Sequence, residues 1–254
     1  MSLQLDGSSL VSNSATLVTA FSYTMGGWFM SLDGGAGSFC SLGSTANNTN
    51  FFDLVISSGQ VQVNFNGGGT VQSGLTGVFP AMGNWFYAMA GGVSATSKWV
   101  ACFDPNTGSY GSGTSSSSAT PAINGLVIGG RRSQTGGQNI VGLVAEWFLL
   151  NATPLGNLSA GPRQDQVMQA AFNGIWSVPT FQSTSMDEYK SFMQDSDVTA
   201  GSPLPTSHVT GYNYQQIAQI WTVSGQPTIG PPCPYVLSTT IRPPQSQIIR
   251  NVII

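Results

Sequence analysis

The chain has 254 residues and a formal net charge of −3, and only 7% of its residues are charged, against about 25% in an ordinary soluble domain. With 41% hydrophobic and 10% aromatic residues it has ample material for a core, which excludes a disordered chain. No Lys or Arg precedes Lys98 and the seven basic residues are scattered, so no phosphate-binding stripe exists and no nucleic-acid partner is expected.

Up to residue 150 the chain reads as short strands separated by Gly, Ser and Asn. Residues 1–20 lack a positive segment and are interrupted by Asp6 and many Ser, so no export signal is expected in them. Phe52, Leu54 and Ile56 alternate with Asp53 and Val55. After Ser57-Ser58-Gly59-Gln60, Val61, Val63 and Phe65 alternate with Gln62 and Asn64. This predicts a hairpin with one apolar and one mostly polar face. Trp85, Tyr87 and Met89 form another period-2 run, as do Trp99, Ala101 and Phe103 ahead of the turn residues Asp104-Pro105-Asn106-Thr107-Gly108. Those aromatic residues, with Trp28, Trp147 and Leu149, are assigned to the interior. Residues 126–128 and Val141–Leu150 predict two further strands, the second apolar enough to be central. That second stretch is half the length of a spanning helix and carries Glu146, so no membrane insertion is expected. Short strands without a helical period predict a mainly β chain, an antiparallel β-sandwich or barrel.

Beyond Leu150 the texture changes. Gln164–Asn173 predicts a short amphipathic helix through Val167, Met168, Ala171 and Phe172, stopped at Asn173-Gly174. Residues 186–194, with Asp187 and Glu188 leading, predict a second helix, and 207–222 a third. From 230 to 254, Pro231, Pro232, Pro234, Pro243 and Pro244 forbid a regular helix, which predicts an extended arm with an apolar tip. The expected division is a sandwich over 1–175 and an irregular, partly helical extension over 176–254 that ends in this arm.

Seven segments occur in a telling order. They are Leu3-Gln4-Leu5-Asp6-Gly7, the run from Phe21 to Trp28-Phe29, Gly83-Asn84-Trp85-Phe86-Tyr87, and Lys98 through Gly108. Val127-Ile128-Gly129-Gly130-Arg131, Gly142-Leu143-Val144-Ala145-Glu146-Trp147, and Leu158-Ser159 ahead of the first helix follow. Together they resemble the concanavalin A-like lectin/glucanase superfamily, in particular its laminin-G-like jelly-roll domains. The resemblance implies two curved antiparallel sheets packed face to face over residues 1–175. It implies no activity, because the fold hosts lectins, glycosidases, receptors and structural modules.

Glycosidases need two carboxylates about 5–9.5 Å apart. The glucanases of the superfamily carry theirs on one strand as Glu-x-Asp-x-x-Glu, a run absent here, and Glu146 has no acidic neighbour at 144 or 148. His208, the one histidine, follows Pro203-Leu204-Pro205, and no Gly-x-Ser-x-Gly elbow supplies a nucleophile. No enzymatic activity is expected. Asp33 and Asp104 fall in rim loops where some relatives hold Ca²⁺, but each lacks an acidic companion, and turn capping is expected of them. Cys40, Cys102 and Cys233 are odd in number and widely spaced, and read as buried apolar groups. No cofactor or obligatory metal is expected. Sugar binding would use loop groups such as Asn47, Asn48, Asn50, Gln134, Asn139 and Tyr110, with no choice among them from sequence.

Two function classes follow. The first is a structural virion protein, a bacteriophage capsid-decorating (cement) or tail-associated protein assembled in the host cytoplasm. Its partners would be further copies of itself or a larger shell, such as a major capsid protein. The assembly interface is expected on the arm, at Arg242, Pro243, Pro244, Ile248, Ile249, Ile253 and Ile254. The prolines pre-order the chain, and burying four isoleucines is worth about 6–12 kcal/mol gross. The second class is a carbohydrate-binding lectin or adhesion module of a cell, meeting cell-surface glycans and extracellular if an export signal precedes this sequence.

Overall fold

The computed structural model describes residues 2–13, 21–44, 50–67, 72–118, 125–131, 139–150, 162–173, 186–190, 222–225 and 227–235. In chain order the strands are β1 (Ser2–Asp6), β2 (Leu10–Asn13), β3 (Tyr23–Ser31), β4 (Gly37–Gly43) and β5 (Asn50–Ser57). They continue with β6 (Gln60–Gly67), β7 (Gln72–Leu75), β8 (Phe86–Ser94), β9 (Ser97–Asp104) and β10 (Ser109–Ser115). Then come β11 (Gly125–Ile128), β12 (Val141–Leu150), helix α1 (Gln164–Asn173), β13 (Met186–Lys190), β14 (Thr222–Ser224) and β15 (Thr228–Gly230).

These strands form two antiparallel sheets. The first runs β10-β9-β8-β3-β12-β1-β15, with β13 also paired to β12; the second runs β14-β2-β11-β4-β5-β6-β7. The predicted hairpin is β5–β6. Its tight turn is Ser58-Gly59, both at positive φ, and Ser57 faces Gln60 across it. β12 is interior, as its nearly continuous apolar run required. The two sheets close on each other where β10 meets β7. A Cβ on Gly111 or Gly113 would lie 2.0 Å from the carbonyl oxygen of Thr76 or Leu75, so only glycine admits this approach.

Between the sheets lies a core that includes Phe29, Phe39, Phe52, Leu54, Phe65, Phe86 and Trp147. The assignment of the other aromatic residues to this interior needs correction. Trp28, Trp85, Tyr87, Trp99 and Phe103 are buried, but on the outer face of the first sheet, in a second cluster with Val167, Ala170 and Ala171 of α1 and with Cys233. Their in-between neighbours, Phe86, Ala88, Ala90, Val100 and Cys102, point to the other sheet. The helix expected at Gln164–Asn173 forms, and Trp28 Nε1 donates to its Ala171 carbonyl at 3.1 Å.

The sheets do not stop at residue 175. In place of a helix, residues 186–190 form a strand: β1 pairs β12 only through Val144, and β13 takes the bonds that Trp147 to Leu150 would otherwise leave open. β14 pairs β2, and β15 pairs β1, so one stretch of chain supplies an edge to each sheet. The beginning of the expected arm also lies on its own sandwich. Ser2 Oγ donates to the Pro231 carbonyl at 2.7 Å, Cys233 is buried, and Tyr235 stacks on Trp28 with ring centroids 4.8 Å apart. The rest of the arm, with Arg242, Pro243, Pro244, Ile248, Ile249, Ile253 and Ile254, lies outside the described residues, as do His208 and the helix expected at 207–222 apart from Thr222, which opens β14.

Candidate functional site

Across the outer face of the second sheet the strand register sets one row: Val127 of β11, Ser41 of β4, Asp53 of β5, Asn64 of β6 and Ser73 of β7. These are the out-of-phase residues of strands whose other side chains fill the core. The predicted polar face of the β5–β6 hairpin is therefore real, and two flanking strands extend it.

Arg131 lies over this row. Gly129, at φ +94°, turns the chain out of β11, a conformation that costs glycine nothing; a Cβ there would strike Leu5 at 2.8 Å. Two residues later the Arg131 guanidinium sits 3.8 Å from the centre of the Phe51 ring, and its Nε–H donates to Asp53 Oδ2. Both partners of this ion pair are buried. Burial is the larger influence on the Asp53 carboxyl and pushes its pKa up to about 6, against the opposing pull of Arg131. The Ser41 hydroxyl adds a second polar contact that favours the Asp53 carboxylate.

Beside the pair opens a cleft of about 260 Å³, lined by Ala36, Gly37, Val55, Ile56, Ser57, Asn64 and Arg131. Ser73 Oγ donates to Asn64 Oδ1 at 2.6 Å, and Gln62 Nε2 to the Ser57 carbonyl at 3.0 Å. Ser57, Asn64 and Arg131 are the described lining residues that carry side-chain donors.

The residues singled out in the sequence fall as follows. Asn139 bridges to Ser38 at the rim of this face, and Asn50 opens β5. Tyr110 belongs to the other sheet, where its hydroxyl donates to the Pro162 carbonyl. Asn47, Asn48 and Gln134 lie outside the described residues. Asp33 Oδ1 accepts from Gly35 N at 2.9 Å and Asp104 Oδ1 from Asn106 N at 2.8 Å, so both carboxylates cap their turns. Glu146 is buried in the bulge of β12, in the sheet remote from the cleft. Cys40, Cys102 and Cys233 are buried, and burial pushes the Cys40 thiol up to about 12. Among the described residues no group of three or more His, Cys, Asp or Glu is placed to hold a metal.

Sequence reasoning missed Asp53, Asn64 and Arg131 as a set. The available signal was a carboxylate inside an apolar strand of a chain with 7% charge, which demands a buried partner.

No family model and no curated protein matches the sequence. Solved structures do match. A native heptameric SAP-like pentraxin from Limulus polyphemus aligns with 15% identity and a TM-score of 0.50, over 74% of this chain and 93% of the pentraxin. The LG1–3 region of the laminin α2 chain aligns at 14% and 0.49, over 58% of this chain and 30% of the other. The enzymatically active domain of bacteriophage CBA120 tailspike protein 2 aligns at 18% and 0.44, over 59% and 25%. Topology and the pentraxin alignment give the chain a concanavalin A-like jelly-roll fold.

Proposed function

We propose that the chain is a non-catalytic structural subunit of a virus particle, a bacteriophage capsid-decorating or tail-associated protein, held by one side of its sandwich and presenting the other. The observation that supports this reading is the inequality of the two outer faces. One is sealed by apolar side chains, α1 and residues 231–235; the other carries the polar row with its Asp53–Arg131 pair and the cleft beside it. Tyr235, on the sealed side, is followed in sequence by residues 236–254, a stretch that if extended would span roughly 60 Å. Arg242, Pro243, Pro244 and the four terminal isoleucines on that stretch would then bind a second copy or a larger shell protein. The non-catalytic part is supported by Asp53, the carboxylate beside the cleft, being committed to Arg131.

Mass spectrometry and antibody labelling of purified particles test the proposal. The chain should be present in fixed proportion to the shell protein, and a variant lacking 241–254 should no longer attach. Absence from particles would overturn it. The cleft also favours a second reading, a glycan-binding module on a cell surface, which labelling of intact cells would reveal.

A further inference from the structure

We propose that the apolar rim formed by Leu32, Phe79 and Met82 seats the isoleucine-bearing tip, residues 248–254, of a second copy of this chain. This rests on the assembling role given to the arm above and not on the particle location. Among the described residues the exposed large apolar side chains are Leu32, Leu75, Phe79 and Met82, and all but Leu75 stand at one end of the sandwich. Gly83 N donates to the Ser31 carbonyl at 2.8 Å, which ties the loop of Phe79 and Met82 to that of Leu32. A Cβ on Gly34 would meet Met82 Sδ at 3.9 Å, and one on Gly59 would meet the Phe79 ring at 3.9 Å. The rim therefore runs from the β3–β4 loop to the β5–β6 turn. Phe79 and Met82 are 64% and 63% exposed, and adjoining apolar groups left so open make an interaction surface.

The occupant follows from charge and from where the arm begins. Asp33 is the one exposed charge in these loops, and Arg250 is the one charged side chain of the tip. An acid without an exposed cation suits that tip and does not suit an anionic membrane. Tyr235 lies at the same end as the rim. Its hydroxyl donates to Asn106 Oδ1 at 3.5 Å, and Asn106 Nδ2 donates at 3.1 Å to the carbonyl of Trp85, close after Met82 in the chain. Residues 236–247 separate Tyr235 from Ile248 and would span about 40 Å if extended. Pro243 and Pro244 favour extended chain over a reversal onto its own rim. With root and seat at one end, two copies can meet end to end about a twofold axis and exchange tips, which closes the assembly.

The test is light scattering of three full-length chains: the native one, a seat variant with Phe79→Ser and Met82→Ser, and a tip variant with Ile248→Ser and Ile249→Ser. Both seat positions are exposed, so the urea midpoint of that variant should match the native one. The native chain should be a dimer. Each variant alone should dissociate at least about tenfold more readily. An equimolar mixture of the two should regain dimer, because each mixed pair keeps one intact tip on one intact seat. A monomeric native chain, a seat variant with undiminished association, or a mixture no more dimeric than its components would overturn the proposal. So would a native chain that floats with phosphatidylcholine vesicles when the seat variant does not, which would assign the rim to a lipid surface. Presence of the chain in purified particles is measured apart, so a monomer here leaves the particle reading standing.

Discussion

On the outer face of the first sheet, Trp28, Tyr87, Trp99 and Phe103 are roofed by α1 and residues 231–235. On the outer face of the second, Ser41, Asp53, Asn64 and Ser73 form a polar row, with Arg131 paired to Asp53. Both faces are read out of the same period-2 alternation. The first has apolar residues in both phases and needs a covering layer, which the chain supplies from its own later residues at the cost of ordering them. The second has polar residues in one phase: Val127, Ser41 and Asp53 are still buried there, and the row opens to solvent at Asn64 and Ser73. Residue type in the second phase thus decides how each face is covered.

The comparison can be broken in several ways, beginning with the most severe. Removing residues 222–254 strips an edge strand from each sheet and uncovers Trp28; the expected result is loss of a cooperative unfolding transition in calorimetry. A truncated chain that melts like the full one would show the roof to be dispensable. Trp28→Ala, which loses the Tyr235 stack and the Ala171 hydrogen bond, should cost about 4 kcal/mol in urea denaturation if the second cluster is a true core. Asp53→Ala leaves the Arg131 charge buried alone and should cost about 3 kcal/mol, whereas Asp53→Leu with Arg131→Met should recover most of it. Gly113→Ala forces β10 from β7 and should cost about 1–3 kcal/mol.

A further expected effect is on pH. Because the Asp53 carboxyl titrates near 6 in the fold and near 3.8 otherwise, the native state binds more protons between those values, and this group lowers stability as pH rises through that window. Asp6, whose carboxylate is held charged by Ser8 and Ser9, pulls the other way. The readout is therefore the difference in urea midpoint between the native chain and Asp53→Asn at about pH 4.5 and pH 7. Equal slopes would mean that Asp53 is ionised throughout.

Much of the fold was legible. The β5–β6 hairpin, the central place of β12, the helix at Gln164–Asn173 and the jelly-roll fold followed from alternation, turn residues and motif order. The face assignment of Trp85, Tyr87, Trp99 and Phe103 did not, because Phe86, Ala88, Val100 and Cys102 are apolar too and alternation alone cannot rank two apolar phases. Met186–Lys190 was misread as helical because what makes it a strand is the open edge of Trp147 to Leu150, some 40 residues away. The site was half legible: Asp53 and Asn64 were visible as a polar phase, but their convergence with Arg131 depends on the turn at Gly129.

The pairing of β1 with β15 and β2 with β14 has a consequence for how the molecule is made. β1 and β2 are translated more than 200 residues ahead of the strands that pair their outer edges. Closing so long a loop is slow, and the nascent chain carries two unpaired edges until residues 222–230 have been made. Expression yield should therefore respond strongly to chaperone supply.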